Sequence, residues 1–221
     1  MLPDRLTLID DTNRGDHPYL EPDDRCFYFG EYFAGKSYKG GPTNQLIFNF
    51  KCKPTVAAAN AGRAHYKNQA IQTIANGMRR VIGQLNAERF TWVPIPPSKA
   101  IGDPDYDDRL LRTLRLALQG YNADIRPLIR QTASTPADHE QEDRLTRDAL
   151  RAVLEVDMAI LQTAPLRDGI ILVDDVLNSG KHFKESERQL RRAIPDQVAI
   201  AGIFVARCIH QNPLGDFQVT P

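Results

Sequence analysis

Two adjacent carboxylates, Asp174 and Asp175, follow the apolar run Ile170 to Val173 and precede the turn Asn178-Ser179-Gly180-Lys181-His182. Each part of this segment suits one kind of ligand. Backbone N–H groups where a turn opens a helix are unsatisfied and carry partial positive charge, so they can cradle a phosphate. Gly180 allows close backbone approach, and the Ser179 hydroxyl can add a hydrogen bond. The two acids can accept hydrogen bonds from vicinal hydroxyls, or hold a divalent cation with them. A phosphate and a diol one sugar apart describe a ribose 5-phosphate. The whole strand, diacid and turn constellation is rarer than any of its parts, which argues against two acids that merely end a strand.

Three further segments carry candidate chemistry. In Trp92-Val93-Pro94-Ile95-Pro96-Pro97-Ser98-Lys99, a proline-rich turn can orient backbone N–H groups, with Ser98 and Lys99 adding a hydroxyl and a positive charge. The polar stretch Arg130 to Arg144 offers Arg130, His139 and Arg144 as contacts to an anion, although Glu140 and Glu142 make it acidic. The run Asp103 to Asp108 could reach Mg²⁺ through water, or cap the helix that follows.

The elements that must position these residues can be read from periodicity. Residues 1–24 read as an extended or poorly ordered lead-in with little chemistry of its own. Arg25–Phe33 and Asn44–Phe50 are aromatic and β-branched and flank Gly35-Lys36-Ser37-Tyr38-Lys39-Gly40-Gly41-Pro42-Thr43, which predicts an N-terminal β-hairpin. After a loop through residue 62, an amphipathic helix is expected over 64–85, with Tyr66, Ala70, Ile74, Met78, Ile82 and Leu85 on its apolar face. From there strands at 90–93, 124–129, 152–156, 169–173 and 198–205 alternate with helices at 108–118, 143–150 and 181–193. Continuous apolar strands between helices predict a parallel sheet covered on both faces, a three-layer α/β sandwich. Ligands of such sheets bind beyond the carboxyl ends of the strands, where strand order reverses.

The segment 170–182 resembles the phosphoribosyl pyrophosphate (PRPP) signature of type I phosphoribosyltransferases. Asn178 and Ser179 stand where that family usually has threonines, and His182 where it closes with a threonine. Trp92 to Lys99 is similar to the corresponding turn of the competence-protein ComF-like branch, and Arg130 to Arg144 to the segment before that branch's third strand. The resemblance implies Mg²⁺-PRPP as ligand, with ribose hydroxyls on Asp174 and Asp175, the 5-phosphate on Asn178 to His182, and pyrophosphate on Pro96 to Lys99. It also implies a mobile flap carrying Arg130, His139 and Arg144, a nucleobase-like acceptor, a homodimer, and a phosphoribosyltransferase domain over 64–221. Residues 1–63 have no counterpart and would form the variable hood that sets the acceptor, or an oligomerisation surface. A non-catalytic PRPP-binding module is the alternative, supported by the substituted loop.

Other classes fit less well. Lys plus Arg and Asp plus Glu both number 28, so no global field draws in nucleic acid or an anionic membrane. No stretch approaches the roughly 18 apolar residues of a membrane span, and the N-terminus lacks a signal-peptide pattern, which predicts a cytoplasmic protein. Cys26, Cys52 and Cys208 lack metal or disulfide spacing and read as buried thiols. Gly30 to Ser37 fits GxxxxGK[ST], and Ile170 to Asp175 could serve as its Mg²⁺ strand. The Tyr-Lys-Gly-Gly-Pro that follows Ser37 cannot open the helix such a loop requires, so the match reads as coincidental.

Overall fold

The computed structural model describes residues 2–83, 85–135 and 146–210. Its centre is a six-stranded sheet built from β1 (Thr7–Leu8), β2 (Arg25–Phe33), β3 (Phe90–Pro94), β4 (Asp124–Ile125), β7 (Gly169–Leu177) and β8 (Ala199–Ile209). The spatial order is β1-β2-β8-β7-β3-β4, parallel throughout except for the antiparallel edge pair β1/β2. The short strands β5 (Ile129–Gln131) and β6 (Leu154–Val156) pair antiparallel as a separate ribbon.

The apolar runs face both ways because successive side chains of a strand alternate. Ile171, Val173, Trp92 and Val205 pack against α1 (Pro42–Phe50), α3 (Ala61–Ile82) and α4 (Arg109–Ala117). Ile170, Leu172, Val93 and Phe204 face α5 (Arg147–Val153), α7 (Lys181–Arg191) and the ribbon. Two short helices, α2 (Pro54–Ala59) and α6 (Met158–Leu161), complete the fold. The α/β class, the mostly parallel sheet and the helices on both faces are as the periodicity predicts. Among the described residues, no helix is long and apolar enough to cross a membrane.

The expected hairpin does not form. Arg25–Phe33 is a strand, but its sheet partners are β1 and β8, while Asn44–Phe50 lies in helix α1. Pro42 occupies the start of that helix, where its missing N–H costs nothing. Ile47 and Phe50, three residues apart, are buried in the core while Phe48 is exposed, which is a helical pattern. In α3 the apolar face is shifted: Tyr66 is exposed, and its neighbour Lys67 is buried. The 124–129 segment divides at Arg126-Pro127, leaving β4 in the main sheet and starting β5 in the ribbon.

The lead-in is also structured. Ile9 and Leu20 are buried in the core, and local side-chain bonds such as Asp10 accepting from the Thr12 N–H (2.9 Å) fold it into turns. Cys26, Cys52 and Cys208 are buried thiols, as expected.

Candidate active site

From β3 the chain moves outward to β4, then returns to β7 on the other side of β3, so strand order reverses between β3 and β7. The carboxyl ends of these two neighbours open on one cavity of about 590 Å³. Pro96, Pro97, Ser98 and Lys99 line it from β3, and Asp174, Asp175 and Asn178 to His182 line it from β7. Two segments far apart in the chain therefore meet where the topology predicts a ligand.

The turn after β7 is braced from outside. Gly180 adopts φ +85°, a left-handed conformation, and caps α7. A Cβ there would lie 2.9 Å from the Leu20 side chain, so glycine is required for both conformation and space. Buried His17 donates from Nδ1 to the Asn178 carbonyl, Tyr19 N–H donates to the Ser179 carbonyl (3.0 Å), and His210 Nε2 donates to Asn178 Oδ1 (2.9 Å). Burial pushes the His17 imidazole below its usual pKa, and the bond to the Asn178 carbonyl offsets this only in part. The lead-in, expected to be chemically idle, thus fixes the turn.

Strand β7 does not stop at Val173. Pairing with β8 continues through Asp174↔Phe204 to Leu177↔Arg207, so both acids belong to the strand and their side chains diverge. Asp175 is directed toward the layer of α1 and α4. Its Oδ1 lies 3.0 Å from Lys51 Nζ, and its Oδ2 lies 2.6 Å from Arg109 Nη2. Arg109 continues to Asp107 (2.9 Å), which also pairs with buried Lys67 (2.6 Å). Lys67 donates in addition to the carbonyls of Phe50 (3.2 Å) and Cys52 (2.6 Å).

This chain of alternating charges separates the two acids electrostatically. Burial raises the pKa of Asp175, but Lys51 and Arg109 outweigh it and hold the group well below the usual carboxylate range. Burial and the neighbouring Asp175 charge push Asp174 well above that range. No ion pair to Asp174 is present among the described residues; its Oδ1 accepts the Asp175 N–H at 2.7 Å. One carboxylate is locked, and the other stays responsive to a ligand.

The β3 turn is held by hydrogen bonds between uncharged groups, with one charged donor, Lys99, added. The Ser98 carbonyl accepts from Gln131 Nε2 (2.5 Å) and the Thr135 N–H (2.7 Å), and Lys99 Nζ donates to the Thr135 carbonyl (3.1 Å). The acidic run 103–108 is largely consumed internally. Asp103 accepts from Ser134 (2.6 Å), Asp105 from Thr55 (2.6 Å), and Asp107 is buried in the ion network.

Arg130 borders an adjoining hollow of about 100 Å³ that also touches Asp174 and Lys99. Its guanidinium is bound to Glu155 across the ribbon (Nε to Oε1, 2.7 Å). His139 and Arg144 lie outside the described residues. The GxxxxGK[ST] match does not form a phosphate cradle: Gly30 to Phe33 are extended in β2, and Ser37 opens a short 3₁₀ turn. Gly35 and Ser37 nevertheless line the same cavity.

No local pattern marks Lys51, Lys67 and Arg109 as site residues: Lys51 and Arg109 meet at Asp175, 124 and 66 positions away, and Lys67 meets Asp107, 40 positions away. Glu21, Asp23 and Asp24 also bring carboxylate oxygens within 4.8 Å of one another, but Lys184 pairs with Glu21 (2.9 Å) and Asp24 (2.7 Å), and the group does not line the cavity. No known protein-family profile matches the chain, and no curated protein matches it.

Proposed function

We propose that the cavity binds Mg²⁺-PRPP and that the protein transfers 5-phosphoribose to a nucleobase-like acceptor. The observation that carries this reading is the convergence of the diacid, the glycine-capped helix turn and the Ser98-Lys99 turn on one cavity at the reversal of strand order. The 5-phosphate would occupy the Asn178 to His182 turn, and pyrophosphate the Pro96 to Lys99 turn. Asp174 would take the ribose hydroxyls, with Asp175 fixing the strand end through Lys51 and Arg109.

A Mg²⁺ ion suits this donor set. Such ions bind through one or two carboxylates plus substrate phosphates and water, and Asp174 supplies an oxygen beside the expected diphosphate. When bound it would neutralise charge on the leaving group. The chain's own contribution is electrostatic. Breaking the C1–O1 bond leaves positive charge on the ribose ring, which the Asp174 carboxylate stabilises, and negative charge on pyrophosphate, which Lys99 faces. An acceptor nitrogen then bonds to C1 as pyrophosphate departs.

Calorimetric titration with Mg²⁺-PRPP tests the reading. Micromolar binding is expected, weakened about tenfold or more in Asp174→Asn. An absence of binding in the unaltered protein overturns it. The engagement of Asp175 by two cations favours a second reading, a module that holds PRPP without transferring it. Binding without pyrophosphate release across a panel of bases selects that second reading.

A further inference from the structure

The wall of the cavity that faces the two strand exits comes from residues 32–63, and its charge is one-sided. Its lining includes Lys51, Lys53 and Arg63 but no Asp or Glu. The acids of the cavity, Asp105, Asp107, Asp174 and Asp175, all come from segments outside 32–63. Arg63 differs from the other cations of the site in its partners. It donates to Asn49 Oδ1 (3.3 Å), its guanidinium lies 4.7 Å above the Phe48 ring, and no described carboxylate pairs with it. Phe48 lines the cavity and keeps 40% of its surface exposed.

We infer that this wall receives an acceptor that is both planar and anionic, an aromatic ring carrying a carboxylate. The inference rests on the phosphoribose reading above and names the substrate class for it. A guanidinium presents its fork of N–H donors in one plane, which matches the two oxygens of a carboxylate. The exposed part of Phe48 beside it offers an aromatic surface for an offset or edge contact with a second ring. An uncharged base would bury the Arg63 guanidinium without a counter-charge. Phosphates do not need this wall, since each strand-exit turn brings its own N–H groups and a lysine, Lys99 or Lys181.

The test is calorimetric titration of the full chain with a pyridine carboxylate, its matched carboxamide and a purine base, with and without saturating Mg²⁺-PRPP. The carboxylate is expected to bind about tenfold or more tightly than the amide, and Arg63→Gln to bring the two within about twofold. Arg63→Lys, which keeps the charge but not the fork, should retain only part of the preference. Mg²⁺-PRPP affinity should change little in either variant. Equal or tighter binding of the amide or the purine overturns the inference. So does an equally large loss of Mg²⁺-PRPP affinity in Arg63→Gln, which assigns the wall to the diphosphate. Arg63-dependent carboxylate selectivity without any PRPP binding leaves this inference standing and removes the phosphoribose reading.

Discussion

The two strand exits that form the site are built by different physics. At β7 the acids sit in an alternating network of buried charges, and the turn beyond is braced by His17, Tyr19 and Leu20 from the opposite end of the chain. At β3 the turn is held by neutral hydrogen bonds to Gln131 and Thr135. Buried charges are costly when one partner is lost, whereas neutral hydrogen bonds exchange with water at modest net cost. The β7 exit is therefore a preformed, unforgiving half of the site, and the β3 exit a more tolerant one.

The sharpest way to break this contrast is Arg109→Met, which leaves Asp107 with Lys67 alone and Asp175 with Lys51 alone. A loss of about 3–5 kcal/mol in urea unfolding is expected. Gly180→Val comes next: a β-branched residue at φ +85°, with its Cβ against Leu20, should cost about 3 kcal/mol and abolish Mg²⁺-PRPP binding. On the β3 side, Gln131→Leu removes the amide donor to the Ser98 carbonyl and should cost only about 1 kcal/mol. A larger effect for Gln131→Leu than for Arg109→Met in the same titration would invert the comparison.

A pH series sharpens it further. The folded pKa of His17 lies below its usual 6.5, so below that pH the unfolded chain binds a proton that the folded chain resists. Stability contributed by neutral His17 is fully present above about pH 6.5 and is lost as pH falls from there toward the folded pKa. The groups acting on the ring are Asp16, which favours its charged form, and Arg207 and His210, which oppose it. His17→Asn can still donate to the Asn178 carbonyl but cannot titrate, and should flatten this slope between pH 7.5 and 5.5 in urea midpoints. The smallest effect is expected for Lys99→Met, below about 1 kcal/mol in stability, because its bond to the Thr135 carbonyl is one of several in that turn.

The parts of the fold that were legible in the sequence are those where local pattern and burial agree. Ile170 to Val173, Trp92-Val93 and Ile203 to Val205 are continuous apolar runs because both sheet faces are covered. Gly180 and the turn around it were legible for the same reason, since glycine at a helix cap has one backbone use. Asn44–Phe50 misled because Ile47, Phe48 and Phe50 favour strands intrinsically, while the decisive cue was Pro42 at a helix start. The burial of Lys67 is illegible because lysine is rarely buried; Asp107, forty positions later, and the carbonyls of Phe50 and Cys52 make it tolerable. The division of labour between Asp174 and Asp175 was illegible for a different reason. It depends on β7 continuing past Val173, which is fixed by pairing with β8 and not by the residues of β7 themselves.

That pairing has a consequence for how the chain assembles. Strand β8 lies between β2 and β7, with Arg25 opposite Ala201 on one edge and Gly169 opposite Ala199 on the other. The first long strand therefore has no parallel neighbour until β8, Ala199–Ile209, has been synthesised. Contacts of such wide sequence separation form late and slowly. Until β8 arrives, β2 exposes an unpaired, aromatic edge, and a nascent chain stalled before residue 199 would carry that edge as a surface prone to aggregation.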